Sequence, residues 1–138
     1  MQEPNLLAVL VAGLIPMVVG AVWYGPLFGK KWLAFQGKTA EEVQAEINPL
    51  KTYGVTLVMS ILTAYVLAHT LLAFASATGE VGLWAGLQGG FWVWLGFVVT
   101  AQWNEVGFAG KEVGHWLLDT AASLVGLLIM GAILALWV

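Results

Sequence analysis

A histidine and an aspartate stand four positions apart in "HWLLD", residues 115–119, inside the last apolar run of the chain. At that spacing two side chains share one face of a helix and can pair. An ionisable group in hydrocarbon costs roughly 2.5–3.5 kcal/mol on insertion scales. Asp119 therefore has one of two roles. It accepts a hydrogen bond from Asn104, Trp116 or a hydroxyl and fixes the fold, or it binds a cation, a proton or a polar substrate group.

Two amides extend this candidate polar site. Asn104 follows the third apolar run, and Gln88 lies inside that run, where an amide needs a partner. With Asp119 and His115 they would mark the path of a transported solute. A metal or haem site needs two or more close ligands. The chain has no Cys and only two His, in different runs, so we expect no metal and no cofactor.

Four long apolar runs must position these groups. The chain has 138 residues, of which 60% are hydrophobic and 9% are charged, whereas a soluble domain carries about 25% charged residues. Each run is long enough to cross a bilayer and must be helical there, because lipid cannot satisfy backbone polar groups. We predict an all-α integral membrane four-helix bundle forming one domain, 1–138. The predicted spans are about 5–24, 52–75, 81–103 and 113–138.

The first connector, residues 26–51, carries a helix signal of its own. Thr39 and Glu42 in "TAEE" form a capping box. The sequence predicts a short helix over about 40–47, with Val43 and Ile47 on one face and acidic residues elsewhere. We expect this amphipathic helix to lie on the headgroups or on the bundle.

The placement of lysines predicts the orientation. All five lie in connectors 26–51 and 104–112, which a four-span chain puts on the same side: Lys30, Lys31, Lys38, Lys51 and Lys111. Cytoplasmic loops carry the excess of lysine and arginine. We therefore predict a multi-pass protein of the cell membrane, with both connectors cytoplasmic and both termini outside. The first helix lacks a basic start and a small-residue cleavage site, so we expect it to be retained.

The stretch "GAVWYGPLFGKKW", residues 20–32, combines aromatic, glycine and lysine residues where the first helix leaves the membrane. Aromatic rings settle at membrane interfaces, a proline can end the helix there, and each lysine near anionic headgroups contributes about 1 kcal/mol. The stretch is thus a membrane exit, and it is also a candidate rim site for lipid or a membrane-protein partner. The rim residues are Trp23, Tyr24, Pro26, Phe28, Lys30, Lys31 and Trp32.

Glycines at close-packing spacing mark two helix surfaces. Small residues four apart let neighbouring helices approach closely. Because the third run is so rich in glycine, we expect it to provide a subunit face, and so a homo-oligomer. The candidate packing residues are Gly82, Gly86, Gly89, Gly96 and Gly126.

Three ordered blocks carry a family resemblance. They are "GAVWYGPLFGKKW", "GFVVTAQWNEVGFAGK" (96–111) and "HWLLDTAASLVGLLIMGAILALW" (115–137). Together they resemble the small membrane family catalogued as domain of unknown function 1761, across essentially the whole chain. Asp119 departs from the pattern, which has an asparagine early in the last helix. The resemblance implies a four-helix integral membrane protein and no activity.

Two function classes remain. The first is an oligomeric accessory protein that binds lipid or a membrane-protein partner through the rim. The alternative is a small-solute, ion or proton transporter or channel component that uses Asp119, His115 and Gln88. We expect no enzyme, because no nucleophile stands beside a base and no phosphate loop is present. With no Arg and a net charge of −3, we expect no nucleic-acid partner.

Overall fold

The computed structural model describes residues 3–137, and within that range all regular structure is helical. Counting each α-helix together with any π-helical turn that continues it, these described residues form six helices. Their bounds are α1, Leu6–Leu27; α2, Gly29–Gln36; α3, Ala40–Glu46; α4, Pro49–Thr78; α5, Leu83–Ala109; and α6, Val113–Leu136.

Four of these helices, α1, α4, α5 and α6, are long and apolar enough to cross a membrane. This confirms the predicted all-α fold with four helices of spanning length. Val138, the predicted end of the last span, lies outside the described residues. The chain contacts are antiparallel: the end of α1 lies beside the start of α6, and the start of α5 beside the end of α6. All five lysines therefore fall at one end of the bundle, which we call the lysine end.

The prediction of a single short helix in the first connector was incomplete. Two short helices, α2 and α3, lie between α1 and α4, so the molecule is not simply a four-helix bundle. The chain turns between them at Gly37, whose φ of 67° is left-handed and ends α2. Thr39 caps α3 as expected, its Oγ1 accepting from the Glu42 N–H at 3.2 Å.

Pro26 does not end the first helix, contrary to expectation. The last five residues of α1, Trp23–Leu27, form a π-helical turn that includes it. Its closing bond runs from the Phe28 N–H to the Trp23 carbonyl at 2.8 Å. The hydrogen bonds of a π turn join residues that are five apart in sequence, compared with four in an α-helix. A proline, which has no N–H to donate, is accommodated in this turn.

The predicted connector 104–112 is mostly helical. Helix α5 continues to Ala109 and ends at Gly110, which has a φ of 75°. Residues 110–112 alone join α5 to α6. Short loops connect antiparallel neighbours, so this loop keeps the start of α6 close to the end of α5.

The closest helix packing involves α5 and α6. A Cβ at Gly86 would overlap the backbone of Gly131, and a Cβ at Gly90 would lie 2.5 Å from the Leu127 carbonyl oxygen. Gly86, a predicted packing residue, thus lies at a close contact between helix backbones, whereas a Cβ at Gly89, another predicted packing residue, would meet the end of the Leu71 side chain of α4. These contacts lie within one chain, so the glycine surface no longer supports a subunit interface, and the homo-oligomer stays a prediction.

The other predicted packing glycines behave differently. A Cβ at Gly82, Gly96 or Gly126 would meet no atom within 4 Å. Gly82 instead turns the chain into α5 with a φ of 89°, which requires glycine. Gly96 is exposed in the π-helical turn of α5, and Gly126 is buried beside an open groove.

The hydrophobic core lies toward the end of the bundle away from the lysines. Small side chains dominate it and allow close approach of α1 and α4. Its buried members are Ala8, Val9, Ala12, Ala64, Leu67, Ala68, Leu127, Met130 and Leu134. Toward the lysine end, polar contacts replace this apolar core.

Candidate functional site at the lysine end

The carboxylate of Asp119 joins three other side chains. Its Oδ1 accepts a hydrogen bond from the Tyr24 hydroxyl at 2.7 Å. Its Oδ2 lies 2.6 Å from Lys111 Nζ and 3.2 Å from His115 Nε2. We call these four residues the carboxylate junction. Both carboxylate oxygens are therefore engaged within the chain.

The sequence brings the junction together from two directions. His115 and Asp119 are four apart at the start of α6, which aligns them on one face, and Lys111 reaches Asp119 from the loop 110–112 just before this helix. Tyr24 comes from the π-helical turn of α1, and its neighbour Trp23 donates its indole N–H to the Leu118 carbonyl at 3.1 Å. The end of α1 is thus tied to α6 by two hydrogen bonds from adjacent residues.

A second layer of side chains surrounds the junction. The amide Nε2 of Gln36 lies 3.5 Å from His115 Nε2, and the ring of Phe35 stacks on the His115 ring with centroids 5.5 Å apart. The stack requires the glycine at position 114, where a Cβ would lie 2.9 Å from the Phe35 ring. Helix α2 is thereby docked on α6.

Lys111 carries the positive charge of the junction. It also bonds Glu105 at 2.7 Å, so it bridges a carboxylate of α5 and one of α6. Burial lowers the pKa of Lys111, but hydrogen bonds to Asp119 and Glu105 and their negative charges outweigh burial and raise it. The Lys111 ammonium therefore stays charged at neutral pH. Its side chain is 16% exposed, so water screens these pairs less than it screens a surface pair.

The structure does not keep the two predicted candidate sites separate. Asp119 and His115 lie together, as their spacing predicts, but Tyr24, assigned from sequence to the rim, completes their contacts. Asn104 is exposed on α5 outside the junction. Gln88 is far away: its neighbours in α5 pack near residue 129 of α6, about 15 Å from Asp119 along that helix.

The rim residues divide into an inward and an outward group. Trp23, Tyr24 and Trp32 are half-buried, and the Tyr24 and Trp32 rings lie 5.3 Å apart. Phe28 packs on Trp23 at 4.7 Å. The outward group consists of Pro26, Lys30 and Lys31, which are exposed.

Sequence reasoning missed four contributors, Lys111, Glu105, Gln36 and Phe35. One signal was available, because Lys111 precedes His115 by the same four positions that separate His115 from Asp119. Gln36 and Phe35 gave no such signal, since their contact depends on how α2 folds back over α6.

Two tryptophans tie α5 to α6 in the same manner as Trp23. The Trp94 indole N–H donates to the Thr120 carbonyl at 2.8 Å, and the Trp116 indole N–H donates to the Val99 carbonyl at 3.2 Å. Trp94 and Val99 bound the π-helical turn of α5. The start of α6 is therefore held by indole hydrogen bonds on two sides.

A groove opens beside the junction between α1, α4 and α6. Its volume is about 440 Å³, within the usual range of small-molecule sites. Exposed residues of α4 such as Met59 form one rim, so the groove opens toward the side of the bundle. Its polar wall residues are Tyr24, Thr56, Ser60, Thr63, Asp119 and Ser123.

Among residues 3–137, no group of three or more His, Asp or Glu side chains is arranged to hold a metal ion.

Comparison with known proteins gives one match. The family described as "Protein of unknown function (DUF1761)" matches residues 7–135. No curated protein matches the chain. No solved structure matches it.

The junction predicts a specific loss of stability in Tyr24→Phe. A hydrogen bond to a charged group contributes about 1.5–3 kcal/mol, so this variant should lower the free energy of unfolding in detergent by that amount. Tyr53→Phe is the matched control, because Tyr53 lies at the same end but is half exposed. In an Asp119→Asn background the cost of Tyr24→Phe should shrink. Equal costs for Tyr24→Phe and Tyr53→Phe would contradict the assignment.

Proposed function

Because the chain belongs to the DUF1761 family, whose description names no activity, we propose from its geometry that it is a small accessory membrane protein. In this proposal it binds anionic lipid headgroups at the lysine end. The observation that carries it is the engagement of both Asp119 oxygens within the chain. A carboxylate bonded to Tyr24, Lys111 and His115 holds the fold together and positions the lysine-bearing segment.

The charges of the lysines support this role. Lys38 pairs with Glu46 at 2.7 Å, and Lys111 pairs with Asp119 in the carboxylate junction. Lys30 and Lys31 are exposed and form no ion pair with any residue in 3–137. They also stand in the first turn of α2, where the helix dipole disfavours a cation. Their position therefore does not stabilise α2. This absence of a structural role within the helix favours an anionic partner outside the chain.

Apolar residues next to these lysines fit a membrane surface. Leu27 is 59% exposed and Pro26 is exposed, directly before the lysine pair. A surface that combines an apolar residue with lysines binds at the boundary of headgroups and acyl chains. The docking of Phe35 on His115 holds α2 and keeps this surface in one orientation.

The proposal includes an orientation. We place the lysine end in the cytoplasm, because the inner leaflet is rich in anionic lipid and cytoplasmic loops are rich in lysine. Both termini would then lie outside. A membrane-protein partner with an acidic surface and assembly into a homo-oligomer are further parts of the proposal. So is a non-enzymatic role.

The test replaces Lys30 and Lys31 by Gln together. Purified protein is reconstituted in vesicles of phosphatidylcholine and phosphatidylglycerol, extracted with its surrounding lipid in polymer discs, and the retained lipids are quantified. The parent chain should enrich phosphatidylglycerol. Since each lysine contributes about 1 kcal/mol, or about fivefold in partitioning, the double variant should lose most of that enrichment.

The matched control for this test is the double variant Lys38→Gln and Lys51→Gln, which removes the same charge from the same end of the bundle. It should lose much less of the enrichment, because Lys38 is already paired with Glu46 and only Lys51, in the first turn of α4, is an exposed lysine without an ion pair among residues 3–137. Equal losses in the two double variants would show a general charge effect and refute a site at Lys30 and Lys31.

Transport is the second candidate, and the groove favours it. Asp119, the one acidic residue of α6, forms part of the groove wall beside Ser60 and Ser123. An intramembrane ionisable group that faces a cavity marks a solute or proton path in many transporters. His115 would support this path through Asp119, whereas Gln88 lies too far along α5 to share it.

The transport candidate predicts that Asp119→Asn assembles but loses proton- or ion-dependent flux in proteoliposomes. Tyr24→Phe is the control, because it weakens the junction while keeping the carboxylate. Flux lost in Asp119→Asn and kept in Tyr24→Phe would support transport. Equal flux from the parent chain and Asp119→Asn would dismiss it.

A further inference from the structure

We propose that the groove between α1, α4 and α6 is a binding site for an uncharged amphiphile whose hydroxyl group hydrogen-bonds to Ser60. This site is separate from the surface at Lys30 and Lys31 and does not depend on lipid binding there. Three features of the groove support this site: one hydroxyl without a partner among residues 3–137, the charge of the groove wall, and the room that two glycines leave.

Ser60 differs from the other hydroxyl residues of the groove. Thr56 donates to the Thr52 carbonyl at 2.7 Å, and Thr63 donates to the Met59 carbonyl at 3.0 Å. Ser123 of α6 likewise donates to the Asp119 carbonyl, at 3.2 Å. These bonds to the preceding turn are the usual solution for a hydroxyl in an apolar helix.

Ser60 does not adopt that solution. The Ser60 residue is 7% exposed, it lines the groove, and its side chain forms no hydrogen bond with any of residues 3–137. Because no fully buried side-chain polar atom in residues 3–137 lacks a partner, the Ser60 Oγ is accessible from the groove. A hydroxyl that faces an apolar groove without a partner is costly. Because the Ser60 hydroxyl lies at the groove, a molecule inside the groove can supply the missing hydrogen bond.

The charges around the groove define which molecule fits. Asp119 is the acidic wall residue, its side chain keeps 20% exposure, and it is paired with Lys111, which does not line the groove. No lysine among residues 3–137 lines the groove. An anionic headgroup or fatty acid would find a carboxylate but no free cation in the wall, whereas a neutral hydroxyl can donate to Asp119 or bond Ser60. An uncharged alcohol on an apolar chain is therefore the occupant that matches the wall.

Two glycines keep the groove open. A Cβ at Gly20 of α1 or at Gly126 of α6 would meet no atom within 4 Å, and both residues line the groove. The remaining wall is largely apolar, as an alkyl or isoprenoid chain requires. Since an added side chain at these positions would extend into the groove, it should block the site and leave the helix contacts intact.

The test uses a diazirine-bearing analogue of dodecanol as photoactivatable probe, with the matching dodecane and dodecanoic acid analogues. Full-length protein in nanodiscs is labelled, and the labelled peptides are mapped by mass spectrometry. The alcohol should label the groove walls of α4 and α6 more strongly than either other probe. Ser60→Ala should lower alcohol labelling about three- to tenfold, the value of one hydrogen bond, and leave alkane labelling unchanged.

Two further variants complete the design. Thr70→Ala on the same helix is the control, because Thr70 already donates to the Val66 carbonyl, so labelling should not change. Gly126→Leu should abolish labelling by all three probes, and Gly20→Leu provides an independent block if Gly126→Leu does not fold. Equal labelling by alcohol and alkane, or alcohol labelling that survives Ser60→Ala, would overturn the proposal and show only bilayer chains filling the groove.

Discussion

A carboxylate within an apolar helix must be paired, and this constraint organises the lysine end of the molecule. Asp119 lies about 9 Å from the start of α6 along the helix axis. Its charge is met by Lys111 and His115 from its own segment and by the Tyr24 hydroxyl from α1. Removing one partner from such a group costs more than the bond itself, because the rest is left buried without compensation. The ends of α1, α2 and α5 are positioned by satisfying this one group.

The two halves of the bundle are therefore stabilised by different kinds of interaction. Away from the lysines, small side chains and glycines bring helix backbones into direct contact, as Gly86 and Gly131 do. At the lysine end, indole and phenol hydrogen bonds join α1 and α5 to α6. The groove between α1, α4 and α6 opens at this end, beside the junction, and the exposed lysine pair of α2 lies at the same end. A structural carboxylate thus supports two distinct candidate binding surfaces.

Apolar runs and spacing predicted much of this from the sequence. The four long helices follow from the length of each run, and the contact of His115 with Asp119 follows from helical periodicity. The bond from Tyr24 to Asp119 joins residues 95 positions apart, which no local pattern encodes. Helix α1 passes through Pro26 in a π turn whose residues Trp23 and Tyr24 bond to α6, and proline propensity alone does not predict this continuation. Glycine spacing predicted a close-packed surface that includes Gly86, but it could not say that the helix facing Gly86 is α6 of the same chain.

The central claim is that the carboxylate junction fixes α2 on α6, and a distance measurement tests it most directly. The chain has no native cysteine, so spin labels can be placed at exposed Ala34 in α2 and exposed Leu117 in α6. Pulsed electron paramagnetic resonance in nanodiscs should give one narrow distance distribution for the labelled parent chain. Adding Asp119→Asn and Tyr24→Phe together should broaden it, while Tyr53→Phe should leave it unchanged. A broad distribution in the parent chain, or a narrow one that survives loss of the junction, would contradict the account.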